Sequence, residues 1–213
     1  MAGPVVSIPL KEPLSQTQLR EIDVWLGSVA SVQEGKVGDW DFWIRETEPL
    51  GFHSEAYEAL PFILTFQPTE RPEDYNGPDG NPIAEFIQEH EDERNQWLSH
   101  LLGYYPKVDL IIGAMVSRPP IIVNRILSHL ALEMASRFGG WVDVDDLVWP
   151  PAHHWSYRPD LPLPLREYEK DPLPGRILTF FRTKNQVREP YFQILDIEAF
   201  GAWLRHPLFF LIK

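Results

Sequence analysis

Cysteine is absent from the 213 residues. That excludes disulfides, thiolate nucleophiles, Cys-ligated zinc and iron–sulfur clusters at once. No long hydrophobic run occurs. The longest, Leu110 to Val116, is far too short to span a bilayer. The first residues, Met-Ala-Gly-Pro, carry no basic stretch leading into an apolar core, so no signal peptide is expected. Phosphate-cradling glycine patterns are missing too, with neither GxxxxGK[ST] nor GxGxxG present. No serine sits in a GxSxG elbow or an SxxK pair. Basic residues are scarce, 19 against 31 acidic, and the formal net charge is −12. Such a surface repels phosphate backbones and anionic headgroups, which argues against nucleic acid and membrane as partners and for a basic protein.

Apolar and aromatic side chains are plentiful. Hydrophobic residues make up 44%, with 8 Trp and 12 Phe, enough for a substantial core and against disorder. The 21 prolines are roughly twice the average share and fall between apolar runs, where they read as rigid connections. The length suits a single domain, 1–213, with 1–106 and 107–213 as possible halves.

Periodicity predicts the elements. Val5 to Leu10 is a strand. Ser15 and Gln18 form a capping box that opens a helix whose apolar side is Leu19, Ile22, Trp25, Leu26 and Val29. Val32 to Val37 and Trp40 to Ile44 read as strands joined at Gly38-Asp39, and Leu60 to Phe66 as another. Alternation puts Trp40 and Phe42 on one face and Asp41 and Trp43 on the other. Gln67 to Asn81 is a polar loop, and Pro82 begins a helix ending at Gly103. Val108 to Val116 is almost wholly apolar, as a central strand covered on both faces would be. The helix from Ile122 to Phe138 stops at Gly139, and Trp141 to Val144 follows as a strand. Arg176 to Arg182 and Tyr191 to Leu195 are strands, Asp196 caps a short helix, and Leu208 to Ile212 is a last strand. Strands and helices interleave without strict alternation. The pattern predicts an α+β fold, a mixed and largely antiparallel sheet with helices packed against it, in two ferredoxin-like halves if the similar orders near the start and after Val108 reflect a duplication.

Two surfaces stand out for recognition. One is the acidic face Glu89, Glu91, Asp92 and Glu93. The other is the acidic turn Asp143, Asp145 and Asp146 with the aromatic loop Trp149, His153, His154 and Trp155. Trp and Tyr dominate binding hot spots, and carboxylates complement a basic partner. The Asp143, Asp145, His153 and His154 set could alternatively ligate a divalent metal in a hydrolase, but its spacing matches no metal motif. No catalytic signature emerges, so the sequence predicts a non-enzyme without a cofactor.

Val108 to Pro151 resembles a family of uncharacterised bacterial proteins of about this length. The resemblance rests on Arg125-Ile126-Leu127, Leu130-Ala131-Leu132, Arg137-Phe138-Gly139-Gly140 and Val142-Asp143. It extends to GPVVSIPL at the start, Gly38 to Ile44, Leu173-Pro174-Gly175-Arg176, and Ala202-Trp203-Leu204-Arg205-His206-Pro207 near the end. Small acidic α+β proteins of this kind look like immunity proteins of polymorphic toxin systems. The resemblance implies a cytoplasmic antitoxin that binds and occludes one cognate toxin. The alternatives are the metal-dependent hydrolase and a structural subunit of a larger assembly.

Overall fold

The computed structural model describes residues 4–32, 38–44, 47–51, 61–68, 98–116, 121–144, 173–184, 187–206 and 209. Their architecture is α+β, as expected, and built on one eight-stranded sheet. The strands are β1 (Val5–Leu10), β2 (Ala30–Val32), β3 (Asp39–Ile44), β4 (Pro61–Pro68), β5 (Val108–Ala114), β6 (Val142–Asp143), β7 (Ile177–Lys184) and β8 (Val187–Leu195). Their order is β2-β3-β4-β5-β1-β6-β8-β7, and each described pairing is antiparallel. β5 lies between β4 and β1, so the segment after residue 107 contributes a strand to the middle of the sheet.

Three helices pack on one face: α1 (Gln16–Val29), α2 (Ile121–Phe138) and α3 (Ile197–Arg205). β1 shows why this face is the core. Val6, Ile8 and Leu10 alternate toward the helices and are buried. Trp40, Phe42 and Ile44 do the same from β3, with Phe42 stacked on Phe62 of β4 at a centroid distance of 5.8 Å. From α2, Val123, Ile126, Leu127, Leu130, Ala131, Met134 and Ala135 meet them. α3 adds Ala199, Phe200, Trp203 and Leu204.

The opposite face is covered more locally. Helical residues 98–102 set Leu98 against Phe192 and Ile194, flanked by Leu101, Leu102, Trp141 and Leu178. Residues 98–102 fall at the end of the span predicted as a helix from Pro82, and the rest of that span lies outside the described residues. Gly103 closes it, with φ +73 and its N–H donating to Ser99 O at 2.9 Å.

Some boundaries differ from expectation. β2 begins at Ala30, directly after α1, and pairs with β3 through Ala30↔Ile44 and Val32↔Phe42, while residues 33–37 of the predicted strand lie outside the described residues. β4 runs two residues past Phe66 because Gln67 and Pro68 pair with Asp109 and Val108 of β5. The β7–β8 hairpin is longer than predicted. Pro190, which cannot donate to the ladder, is absorbed by a register shift between Phe180 and Phe181. The predicted strand after Leu208 lies outside the described residues apart from Phe209, which is buried.

Candidate functional site

The described surface is most suited to recognition where the outer side of α1 meets the C-terminal end of α2. α1 starts at Ser15, whose side chain accepts from Gln18 N at 3.3 Å while Gln18 Oε1 accepts from Ser15 N at 2.9 Å. This reciprocal cap fixes the start of the helix. Ile22, Leu26 and Val29 then point inward, which turns Arg20, Glu21, Val24 and Ser28 outward. Asp23 ties α1 to the sheet by accepting from Trp40 Nε1 at 3.2 Å.

Val24 is 75% exposed. Beside it, half-buried Trp25 lies under the Arg137 guanidinium of α2, whose centre is 5.4 Å from a ring centroid. Glu133 steadies that guanidinium, accepting from Arg137 Nε at 2.7 Å and from Nη2 at 2.6 Å. Thr17, Arg20, Glu21 and Ser28 complete a shallow groove of about 510 Å³. An exposed aliphatic side chain next to a Trp–Arg stack has the composition of a binding hot spot.

A second concavity of about 410 Å³ adjoins it, lined by Glu12, Gln18, Tyr104, Gly140 and Trp141 among others. Lys107 Nζ donates to both Glu12 carboxylate oxygens, at 2.9 and 2.7 Å, and Lys107 N donates to Leu10 O at 2.9 Å. These bonds pin the β1–α1 connection across the start of β5. Tyr104 donates its hydroxyl to Pro9 O at 3.1 Å. Burial, with the Asp109 charge second, raises the Tyr104 pKa, so the phenol stays protonated and a donor. Trp141 lies under the Arg176 guanidinium at 5.0 Å. Gly140 makes the cleft floor possible: a Cβ there would sit 2.8 Å from Ile8 Cγ2.

Of the recognition residues predicted from sequence, only Asp143 lies among the described residues. It is 1% exposed, in β6, opposite Ser7 of β1 and Ile194 of β8. Asp143 is therefore a core carboxylate and not part of an exposed acidic turn. Glu89, Glu91, Asp92, Glu93, Asp145, Asp146, Trp149, His153, His154 and Trp155 lie outside the described residues. Among the described residues no group of three or more His, Asp or Glu is placed to hold a metal ion. No described helix is long and apolar enough to cross a membrane.

Sequence reasoning gave neither Val24 nor Arg137 a binding role. Val24 is off the apolar stripe of α1, which was the available signal for an exposed aliphatic residue. Arg137 meets Trp25 only through tertiary packing.

A family of unknown function, DUF6368, matches over residues 2–213. The chain belongs to the DUF6368 family. No curated protein and no solved structure matches it. The expected membership of an uncharacterised family thus holds over nearly the whole length.

Proposed function

We propose that this protein is a binding protein of the immunity type, which recognises one basic toxin and occludes it. The observation that carries this reading is the exposed Val24 beside the Trp25–Arg137 stack. A side chain three-quarters exposed next to a large aromatic leaves apolar area that a partner would remove from water. The net charge of −12 supplies the second part, since an acidic chain draws in a basic partner and speeds encounter. The α1–α2 surface anchors the complex, and carboxylates elsewhere on the chain take the place of the toxin's anionic substrate.

Co-expression with a toxin encoded beside it tests the proposal. Protection of the cells, together with a stoichiometric complex of the purified proteins, is the expected result. Undiminished killing with no complex at micromolar concentrations rejects the reading.

A further inference from the structure

The cleft of about 410 Å³ beside the β1–α1 connection brings Lys11, Glu12, Gln18, Tyr104, Phe138 and Trp141 to one cavity. It shares no lining residue with the Val24 groove. Several of its polar groups are already engaged. Glu12 accepts from Lys107 Nζ with both carboxylate oxygens. The Tyr104 hydroxyl donates to Pro9 O. Gln18 Oε1 accepts from Ser15 N and Ser15 Oγ, each at 2.9 Å, which leaves Nε2 as the other end of that amide. Among the described residues, neither Gln18 Nε2 nor the exposed Lys11 ammonium has a hydrogen-bond or ion-pair partner. The remaining side-chain N–H groups of the cleft are therefore donors in want of an acceptor.

The walls are aromatic. Tyr104, Phe138 and Trp141 are each only partly buried, so a ring placed among them removes apolar surface from water on both partners. The volume lies within the range of small-molecule sites, roughly 300–1,000 Å³. An ammonium and an amide N–H together suit a carboxylate, whose single charge meets the ammonium while its second oxygen accepts from the amide. A phosphate dianion leaves one charge unmatched against aromatic walls, which is costly. An organic cation is opposed by Lys11 and by the Arg176 guanidinium, which stands over the Trp141 ring at 5.0 Å. The Asp109 charge reaches Tyr104, but Asp109 does not line the cleft.

We propose that this cleft binds a small aromatic carboxylate, with its ring among Tyr104, Phe138 and Trp141 and its carboxylate on Lys11 and Gln18. The site stands independently of the toxin-binding reading, which uses the other groove.

NMR titration of the full-length protein tests this, read on the Trp141 indole N–H, which is assigned by its loss in Trp141→Phe. The probes are phenylacetate and indole-3-acetate. Phenylacetamide, phenethylammonium and acetate are the comparisons, all at matched ionic strength. The expected result is a saturable shift with at least one aromatic acid, and binding at least about tenfold weaker for every comparison compound. Lys11→Gln removes the charge and should weaken the tighter acid about tenfold, the loss of one charge-assisted contact. Gln18→Glu keeps an acceptor for the Ser15 cap but sets a carboxylate where the amide donor was, so it should weaken the acid by at least as much. Non-saturating shifts with both acids, the amide or the amine binding as tightly as the acid, or unchanged affinity in either variant overturns the site. Acetate binding as tightly as the aromatic acids overturns the role of the ring.

Discussion

Asp196 and Arg176 hold each other through their backbones and one side chain. Asp196 N donates to Arg176 O at 3.0 Å, and Arg176 N donates back to Asp196 Oδ2 at 2.8 Å. The other carboxylate oxygen, Oδ1, accepts from Ala199 N at 2.8 Å and so caps α3. One side chain thus joins the entry to β7 with the start of α3. Asp196→Ala removes the cap and leaves a second N–H without its partner. The expected loss is about 2 kcal/mol. It should appear as a lower urea midpoint at unchanged slope. Asp196→Asn, which keeps one carbonyl acceptor, should fall between the two. An unshifted midpoint for the alanine variant shows that the carboxylate contributes little.

Gly140 adopts φ +151 and lies against Ile8 in the core of β1. Gly140→Ala forces a methyl within 2.8 Å of Ile8 Cγ2, so either β1 or the turn after α2 must move. A destabilisation of about 1–3 kcal/mol is expected, the range for overpacking. Thermal unfolding of the variant checks it, and a melting temperature equal to that of the parent contradicts the geometry.

Val24 and Trp25 separate binding from folding. Val24 is already 75% exposed, so Val24→Asp should change stability by less than about 0.5 kcal/mol. If the α1–α2 surface anchors the partner, the same change should weaken the complex by more than about tenfold, through one lost hot-spot contact and one buried charge. Trp25→Ala should weaken it as well. Calorimetry on both variants measures this, and parent-like affinity moves the interface away from α1.

His129 makes stability depend on pH in one direction. Its folded pKa, about 4, lies below the ordinary value of 6.5. Between those values the unfolded chain binds the extra proton and the folded chain does not, so stability rises with pH. The contribution is fully present above about pH 6.5 and is lost as pH falls through the window. Burial, and after it the charges of Arg125 and Arg205, oppose protonation of the imidazole. His129→Gln should flatten the slope of unfolding free energy over that window. An identical slope in the variant assigns the pH dependence to other groups.

Local signals foretold the frame well. The Ser15–Gln18 box, the stop at Gly139, the cap at Asp196 and the alternation of Trp40 and Phe42 are each contained within a few residues. The backbone obeys such short-range constraints wherever tertiary contacts agree with them. Pairing partners were less legible. Nothing near Val108 announces that β5 will lie between β4 and β1, because strand order depends on contacts between segments distant in sequence. The same limit hid the surfaces. Trp25 meets Arg137 across helices far apart along the chain. Asp143 shows the converse: its neighbours in sequence are acidic and suggest a solvated turn, yet its cross-strand neighbours Ser7 and Ile194 place it inside.

β6 consists of Val142 and Asp143 alone, yet it pairs with β1 on one side and β8 on the other. The ladder therefore narrows to a two-residue waist between the five strands from β2 to β1 and the β7–β8 hairpin. Among the described residues few backbone bonds cross that waist. Among the described residues, side-chain burial through Phe200, Trp203 and the residues of α2 they meet also holds α3 to the rest. Such a joint divides one sheet into two mechanical units. The smaller can open by breaking very little of the ladder, and its amides should exchange with solvent before those of β1, β4 and β5.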